Sequence, residues 1–303
     1  MKRTALWTAM AIVMGASQSA WADYWDWVGK GDGETSYFDE YGDGKARGTF
    51  GCWYHSAATT TDKFAESNHN FENAGSGERP SFNSGWDKKV TFRTTTSMSG
   101  AVNIGYSDAP IVFQSEDPSY GISSTGLLNL LNSSTLQINS GTYSFGYLAV
   151  GQTSGKTATL IINGGTVKAT GSYSRIGASG GTGILTVKAG GSYDNTGASN
   201  VNLTLGQDSG SSGMLNVEGG EFTVKGFIAL NYKVGAKTSV VNVTDGGVLA
   251  CNKMYLNNSG QGGAVNIDGG TLKACGNNNS YFYSLELSQL SGVMHALAHA
   301  TQP

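Results

Sequence analysis

The sequence predicts an all-β fold, a parallel β-helix of about six to seven stacked coils. Three observations predict this fold: a short motif that recurs six times, a Gly-containing turn inside each copy, and a composition rich in Gly but poor in Pro. Gly contributes 45 of the 303 residues and Pro only 4. This composition is typical of a chain that makes frequent tight turns, and it does not fit collagen or a Pro-rich linker.

The repeated motif consists of an apolar-alternating stretch, a small residue with Gly, and a second short β-prone stretch. The second small residue of each copy marks the period, and successive marks are 24, 26, 29, 27 and 23 residues apart. A nearly constant period with small drift is typical of a solenoid, whose coils take up insertions in their loops. The six marks are Gly141, Gly165, Gly191, Gly220, Gly247 and Gly270.

Each coil is predicted to contain three short strands. One strand precedes the Gly pair, as in residues 160–162, and a second follows it, as in residues 167–169. A third lies midway to the next pair, as in residues 203–206. Because side chains alternate between the two sides of a strand, the aliphatic residues fill the interior while Asn, Thr, Lys and Glu face outward. Parallel crossovers prefer one hand, so we expect a right-handed coil.

Composition and pattern divide the chain into five segments. A basic start, an apolar stretch and an Ala-Trp-Ala site predict a signal peptide, so the mature chain would be exported. No later stretch reaches the roughly 18 apolar residues that a membrane helix needs. The segments are a signal peptide (1–22), a Trp-rich N-terminal cap (23–88), irregular first coils (89–135), the repeat coils (136–275) and a C-terminal, partly helical cap or tail (276–303).

Charge and cysteine content limit the partners and the chemistry. Without residues 1–22 the chain has 17 basic and 22 acidic side chains, a net charge of −5 that gives no electrostatic basis for binding nucleic acid. Cys52, Cys251 and Cys275 form an odd set. Cys251 and Cys275 end equivalent segments of neighbouring coils with an offset of one residue, which would turn them to opposite faces. Unpaired thiols and a disulfide between coils both remain open.

The motif LxVxGGxVxA followed by LxLGxxSGxxGxL resembles the autotransporter-associated β-strand repeat. Residues 160–170 and 203–220 carry the match, which extends over residues 136–274. The resemblance implies a right-handed β-helical passenger displayed at or beyond the outer membrane of a Gram-negative bacterium. Such proteins end in a translocator barrel, and the 33 residues that follow Gly270 are too few to build one.

Two groups of residues are candidates for binding. Trp25, Trp27, Trp53 and Trp86 are the four Trp of the mature chain, and they predict either the core of the cap or an aromatic platform that stacks on sugars. The second group consists of acids that stand just before the Gly pair in three copies, and we expect them to stack on one corner as an acidic ladder. These acids are Glu218, Asp245 and Asp268.

No catalytic, cofactor or metal site is predicted. A glycan hydrolase needs two carboxylates placed on either side of the scissile bond, and the acids before Gly are more simply explained as turn residues. No His lies between residues 70 and 294, so the coils contain no histidine base. His295 and His299 are four apart, but Ala296 stands where a zinc protease has Glu.

The sequence therefore favours an exported, non-enzymatic protein of the adhesin or structural type that binds a glycan or a surface protein. Its final compartment would be the periplasm, the outer-membrane surface or the medium. Two alternatives remain. One is a β-helix enzyme that degrades polysaccharide, and the other is the passenger remnant of a truncated autotransporter gene. The loop expected at residues 115–126 would contribute to binding specificity.

Overall fold

A computed structural model describes residues 24–27, 53–55, 79–82, 88–105, 109–197, 202–256 and 263–275. These residues form a three-sided parallel β-solenoid with seven complete coils and the first two strands of an eighth. The described part of the chain contains strands and turns but no helix. The all-β parallel β-helix of about seven coils is thus confirmed. The right hand of the coil stays a prediction.

Each coil places one strand on each of three faces, and all strands within these faces pair in parallel with their counterparts in the next coil. Face one consists of β4 (Lys89–Phe92), β7 (Ile111–Ser115), β10 (Thr135–Ile138), β13 (Thr157–Ile162), β16 (Thr182–Lys188), β19 (Ser212–Glu218), β21 (Val240–Thr244) and β23 (Ala264–Asp268). Face two consists of β5 (Thr95–Met98), β8 (Gly121–Ser124), β11 (Thr142–Phe145), β14 (Thr166–Ala169), β17 (Ser192–Asn195), the first parts of β20 (Glu221–Leu230) and β22 (Val248–Tyr255), and β24 (Thr271–Ala274).

Face three follows the same rule. It consists of β6 (Val102–Ile104), β9 (Leu127–Leu130), β12 (Tyr147–Val150), β15 (Tyr173–Ile176), β18 (Asn202–Leu205) and the last parts of β20 and β22. The two long strands pass from face two to face three, and their pairing shifts register between Val224 and Phe227. The three-strand coil predicted from the sequence is therefore present in every complete coil.

The interior is a set of columns in which equivalent side chains lie on top of one another. On face one, Leu136 pairs in register with Leu160, Leu160 with Leu185, and Leu185 with Leu215. All four are fully buried. Parallel strands are about 4.8 Å apart, so each inward side chain contacts its counterparts above and below. This stacking is how a coil too small to have its own core becomes stable.

Aromatic rings fill the interior of the first coils. Phe113 packs edge-to-face against Phe82 and Phe92, with ring centroids 5.1 and 5.4 Å apart. Further along the rod, Tyr193 stacks on Phe222 at 4.4 Å with nearly parallel rings. Burial raises the pKa of Tyr193 to about 12, so its hydroxyl stays protonated inside the coil.

Residues 89–130, which were predicted to be irregular, form two complete three-stranded coils in register with the repeat. The expected loop at 115–126 is wrong, because β8 occupies Gly121–Ser124 and pairs with strands on both sides. Only the residues between β7 and β8 form a turn, in which Asp117 accepts hydrogen bonds from the backbone and hydroxyl of Ser119. These coils lack the Gly pair, which is why the motif did not reveal them.

Three strands extend face three beyond the first coil. They are β1 (Tyr24–Trp27), β2 (Trp53–His55) and β3 (Arg79–Phe82). β3 pairs with β6 in parallel, β1 pairs with β3 in parallel, and β2 pairs with β1 antiparallel. The parallel stack thus ends in an antiparallel pair. The rest of the predicted cap at 23–88, the signal peptide at 1–22 and the C-terminal cap at 276–303 lie outside the described residues.

The two cysteines at the last coil lie on adjacent backbones but at different register positions. The register partner of Cys251 is Ala274, so Cys275 is offset by one residue. Both thiols are free; Cys251 is fully buried and Cys275 is half-buried. Burial, followed by the neighbouring Cys275, raises the pKa of Cys251 to about 12. Burial also raises the pKa of Cys275, and Asp194 adds to this effect.

We expect alkylation of the native protein at pH 8 to modify Cys275 and to spare Cys251 until the chain unfolds. The physical reason is that only the thiolate reacts, and burial blocks both ionisation and access at Cys251. Peptide mass spectrometry after timed iodoacetamide labelling measures both rates, and Cys275→Ser provides the control. Equal rates at the two thiols would contradict this placement.

The same shift gives a pH dependence of stability. The pKa of Cys251 is raised in the folded chain, so its contribution is fully present below the thiol's ordinary pKa of 9.0 and is lost as the pH rises toward about 12. Cys251→Ala should therefore flatten the alkaline fall in the urea midpoint between those two values. An unchanged alkaline profile in this variant would contradict the assignment.

Two glycines at neighbouring corners form a matched pair for testing how tightly the coils stack. Both have left-handed backbones, with φ of +76° at Gly177 and +69° at Gly155. A Cβ on Gly177 would lie 1.9 Å from the carbonyl oxygen of Ser212, whereas one on Gly155 would meet nothing within 4 Å. Gly155→Ala should cost about 1–2 kcal/mol for the backbone alone.

Gly177→Ala should cost clearly more, on the order of 3 kcal/mol or above, because the backbone of the next coil must move as well. Urea unfolding followed by circular dichroism compares the two variants. Similar losses at both positions would mean that the corners are not in close contact between coils.

Candidate functional site

The structure places three of the four Trp residues that were candidates for glycan binding on one pair of strands. Trp25 and Trp27 belong to β1 and Trp53 to β2, with Trp27 opposite Trp53 and Trp25 opposite His55. Trp86 lies outside the described residues. Residues distant in the sequence thus come together beyond the first coil. The sugar-stacking role of this group stays a prediction.

The three predicted acids lie at the corner between faces one and two, but no two of them are stacked directly on each other. Glu218 pairs in register with Lys188 on one side and Thr244 on the other. Asp268 follows Ile267, whose register partner is Val243, so Thr244 stands between the two carboxylates. Asp245 is an extra residue at the turn, exposed and with a left-handed φ of 55°. The corner therefore contains spaced carboxylates rather than a continuous ladder.

This geometry follows from the length of each corner. Three positions separate Glu218 from Glu221, whereas four separate the equivalent Thr244 from Val248. The extra residue must leave the ladder, and Asp is among the side chains that tolerate a left-handed backbone beside Gly. Among the described residues, no group of three or more His, Cys, Asp or Glu is arranged to hold a metal ion.

Face one carries a ladder of side-chain amides on its outer surface. Asn216, Asn242 and Asn266 are register partners on successive coils. Asn266 Nδ2 donates to Asn242 Oδ1 and Asn242 Nδ2 donates to Asn216 Oδ1, both at 2.8 Å. Asn216 Nδ2 then donates to Thr186 Oγ1 at 3.2 Å. Each amide uses its groups on its own neighbours, so the ladder adds to the cohesion between coils.

Face two presents hydroxyls on its outer surface. Thr142, Thr166 and Ser192 are register partners. The hydroxyl of Ser192 donates to that of Thr166 at 3.0 Å, and Thr142 donates to the carbonyl of Pro118 at 2.9 Å. This surface is flat and polar, as the alternation of the sequence predicts.

Face three differs, because aromatic and cationic side chains occupy its outward positions. We call this surface the aromatic face. Tyr147 is 38% exposed, although its strand neighbours Leu148 and Val150 are buried. Phe227 and Tyr255 pack edge-to-face with ring centroids 5.3 Å apart. Its outward residues are Leu127, Asn129, Tyr147, Ala149, Tyr173, Arg175, Asn202, Thr204, Phe227, Ala229, Lys253 and Tyr255.

The outward residues form two columns along the rod. Tyr147 is the register partner of Leu127, and Tyr173 that of Asn202, so the rings of coils three and four stand in one column. The second column contains Arg175, whose register partners are Ala149 and Thr204. Thr204 and Ala149 are fully buried although they point outward. Larger neighbours therefore cover the floor of this column.

Two polar atoms of this face, Arg175 Nε and Thr204 Oγ1, are buried without a hydrogen-bond partner. Gln207 Oε1, in the turn that follows β18, is a third such atom beside the face. Most buried polar atoms in proteins have a partner, so an unsatisfied one calls for a specific explanation. Two such atoms on neighbouring coils distinguish the aromatic face from the amide ladder of face one.

An ion pair stands at the edge of the aromatic face. Lys233 Nζ lies 2.8 Å from Asp208 Oδ1, and Asp208 also accepts a hydrogen bond from the backbone of Ser179. The hydrogen bond from Lys233 lowers the pKa of Asp208, and the nearby Arg175 adds to this effect. The same bond raises the pKa of Lys233. Both charges are therefore engaged with each other across neighbouring turns.

The aromatic face could not be found from the sequence, because the residues that make up any one of its columns are about one coil apart in the chain. Tyr147 and Tyr173 are one coil apart, and each is a single aromatic residue within an ordinary strand. The available signal was the third strand itself. Aligning the third strands by their terminal Gly would have placed Tyr147 level with Tyr173, and Ala149 level with Arg175.

The chain is thus a parallel β-solenoid with one outer face that is chemically distinct. Comparison of the chain with protein-family models, with curated proteins and with solved structures finds no match in any of the three. Within the residues that the structure describes, no helix is long and apolar enough to cross a membrane.

We expect Asn242→Ala to destabilise the protein by about 1–2 kcal/mol, because it removes two side-chain hydrogen bonds from the middle of the amide ladder. Asn163→Ala is the matched control. It loses only one long bond of 3.4 Å at an exposed site and should change stability by less than about 0.5 kcal/mol. Thermal unfolding of the two variants measures the difference. Equal effects would show that the ladder contributes no more than an isolated hydrogen bond at an exposed site.

Proposed function

We propose that this protein is an exported, non-enzymatic β-solenoid of the adhesin or structural type, which binds a glycan at or beyond the outer membrane of a Gram-negative bacterium. The observation that carries the proposal is the outer surface of the rod. Its outward positions are regular columns of amides, hydroxyls and aromatic rings, repeated at the spacing of the coils. Such a surface can form many weak, periodic contacts with a long polymer.

The export part of the proposal rests on residues 1–22, which have the basic start, apolar stretch and Ala-Trp-Ala site of a signal peptide. The autotransporter part rests on the resemblance of residues 136–274 to the autotransporter-associated repeat. A secreted rod of this type would be stiff, because every coil is fixed by hydrogen bonds to both neighbours. Stiffness suits display of a binding surface away from the cell.

The non-enzymatic part rests on the placement of the carboxylates. The acids gathered at one corner are half-buried or exposed, and Thr244 separates Glu218 from Asp268. Glycan cleavage needs two carboxylates with different environments placed on either side of one bond. No two of these acids are register neighbours at the corner, which does not favour such a pair.

The test uses the purified protein with a panel of host and bacterial polysaccharides. We expect retention on at least one glycan and no newly released sugar ends in the same wells. Glu218→Gln and Asp245→Asn should bind as the parent protein does. Release of oligosaccharide that disappears in these variants would show an enzyme. If no glycan of the panel retained the protein, the proposed binding function would be contradicted.

A further inference from the structure

We propose that the aromatic face binds an extended polysaccharide whose sugars carry carboxylate groups, with the polymer running along the axis of the solenoid. The inference depends on the glycan binding proposed above, and it adds the surface and the chemical class of the ligand. It rests on three observations of face three: a column of rings, an excess of cations, and polar atoms that have no partner within the protein.

The first observation concerns stacking. Tyr147 and Tyr173 point outward from successive coils in one column, and Phe227 takes the same column two coils further. Coils stack at about 4.8 Å, a spacing comparable with the length of one pyranose unit. The C–H face of a pyranose packs on an aromatic ring, and the phenol of Tyr adds a hydrogen bond at its polar end. A linear polymer can therefore stay in register with the column over several coils.

The second observation concerns charge. From coil two to coil seven, the outward strand positions of face three contain two cations, Arg175 and Lys253, and no carboxylate. Asp208 stands at the edge of the face, where it interacts with Arg175 and is held by Lys233 and by the backbone of Ser179, so Lys233 offsets its charge. An anionic ligand is thus favoured over a neutral one, although the whole chain is acidic.

The third observation concerns the unpaired polar atoms. Arg175 Nε is buried and has no partner. The edge of the guanidinium that contains Nε is one that forms paired hydrogen bonds with a carboxylate. Thr204 Oγ1, on the register partner of Arg175, is likewise without a partner.

The polar columns of the other faces make a useful contrast. The amides of Asn216 and Asn242 are bonded along the ladder of face one, and the hydroxyls of Thr166 and Ser192 are bonded to each other on face two. A ligand on the amide ladder of face one would have to replace bonds already formed. On face two, the outward Asp194 has an unpaired carboxylate oxygen, which would repel an anionic ligand. On face three, the same kind of contact satisfies groups that are otherwise unpaired.

The experiment measures the affinity of the purified protein for polygalacturonate, with neutral galactan as the uncharged comparison. We expect binding to polygalacturonate that weakens as salt rises, and weaker or no binding to galactan. Arg175→Gln should weaken binding to polygalacturonate about tenfold, which corresponds to the loss of one charge-assisted contact. Lys168→Gln is the matched control, because Lys168 points outward from the same coil on face two. It should bind as the parent protein does.

A second set of variants tests the rings. Tyr173→Ala should weaken binding about tenfold while Tyr173→Phe keeps most of it, because the ring is retained. The double variant Tyr147→Ala/Tyr173→Ala should abolish measurable binding. The unfolding midpoint of each variant must match that of the parent protein. Tyr147 is exposed, so its replacement is not expected to disturb the fold.

The outcomes separate this inference from the proposed function. If the parent protein binds glycans and the variants of face three bind equally well, the inference is wrong while glycan binding stands. Binding that is lost in Trp27→Ala but not in Tyr173→Ala leads to the same conclusion and favours the Trp-rich strands. Equal affinity for polygalacturonate and galactan overturns the anionic class of ligand. If no polysaccharide of the wider panel is retained, the proposed function itself fails.

Discussion

The in-register parallel pairing between coils is the interaction on which the rest of this structure depends. A single coil has too few apolar side chains to offset the loss of conformational freedom of its backbone. Columns such as Leu136, Leu160, Leu185 and Leu215 solve this by making each inward residue the packing partner of its equivalents. The same pairing fixes the outer surface, because an outward residue always meets its counterpart about 4.8 Å away. Core and surface therefore share one repeat.

Much of the fold could be predicted, because alternation of apolar residues is a local signal. Leu160 and Ile162 alternate with polar or outward residues, and both are fully buried in the structure. The corners were harder. Glu218, Asp245 and Asp268 all precede Gly, and the sequence alone cannot tell whether an extra residue leaves the ladder before or after the turn. In the first two coils other residues make the corners, so two regular coils had no recognisable motif.

The candidate site, unlike the fold, could not be predicted from local patterns in the sequence. The Trp residues attracted notice because they are concentrated in one part of the sequence, whereas Tyr147, Tyr173 and Arg175 are isolated within unremarkable strands. Their common property is a position in the coil, and it becomes visible only when strands about one period apart are laid in register. In a solenoid, the residues of one binding surface come from equivalent positions of successive coils rather than from one continuous stretch of the chain. Local motifs are therefore poor guides to it.

Faces one and three differ in how many of their outward polar groups already have hydrogen-bond partners, and this difference separates side chains that hold the coils together from side chains that a ligand could engage. Asn242 gives and receives a hydrogen bond within face one, so its amide contributes to holding the coils together. Arg175 and Thr204 retain buried atoms without partners on face three. Leaving buried polar atoms of an outer column without partners costs stability. We expect this loss of stability to be retained where ligand binding offsets it. An extended polymer fits this expectation, because its repeat matches the spacing of the column that contains Arg175 and Thr204.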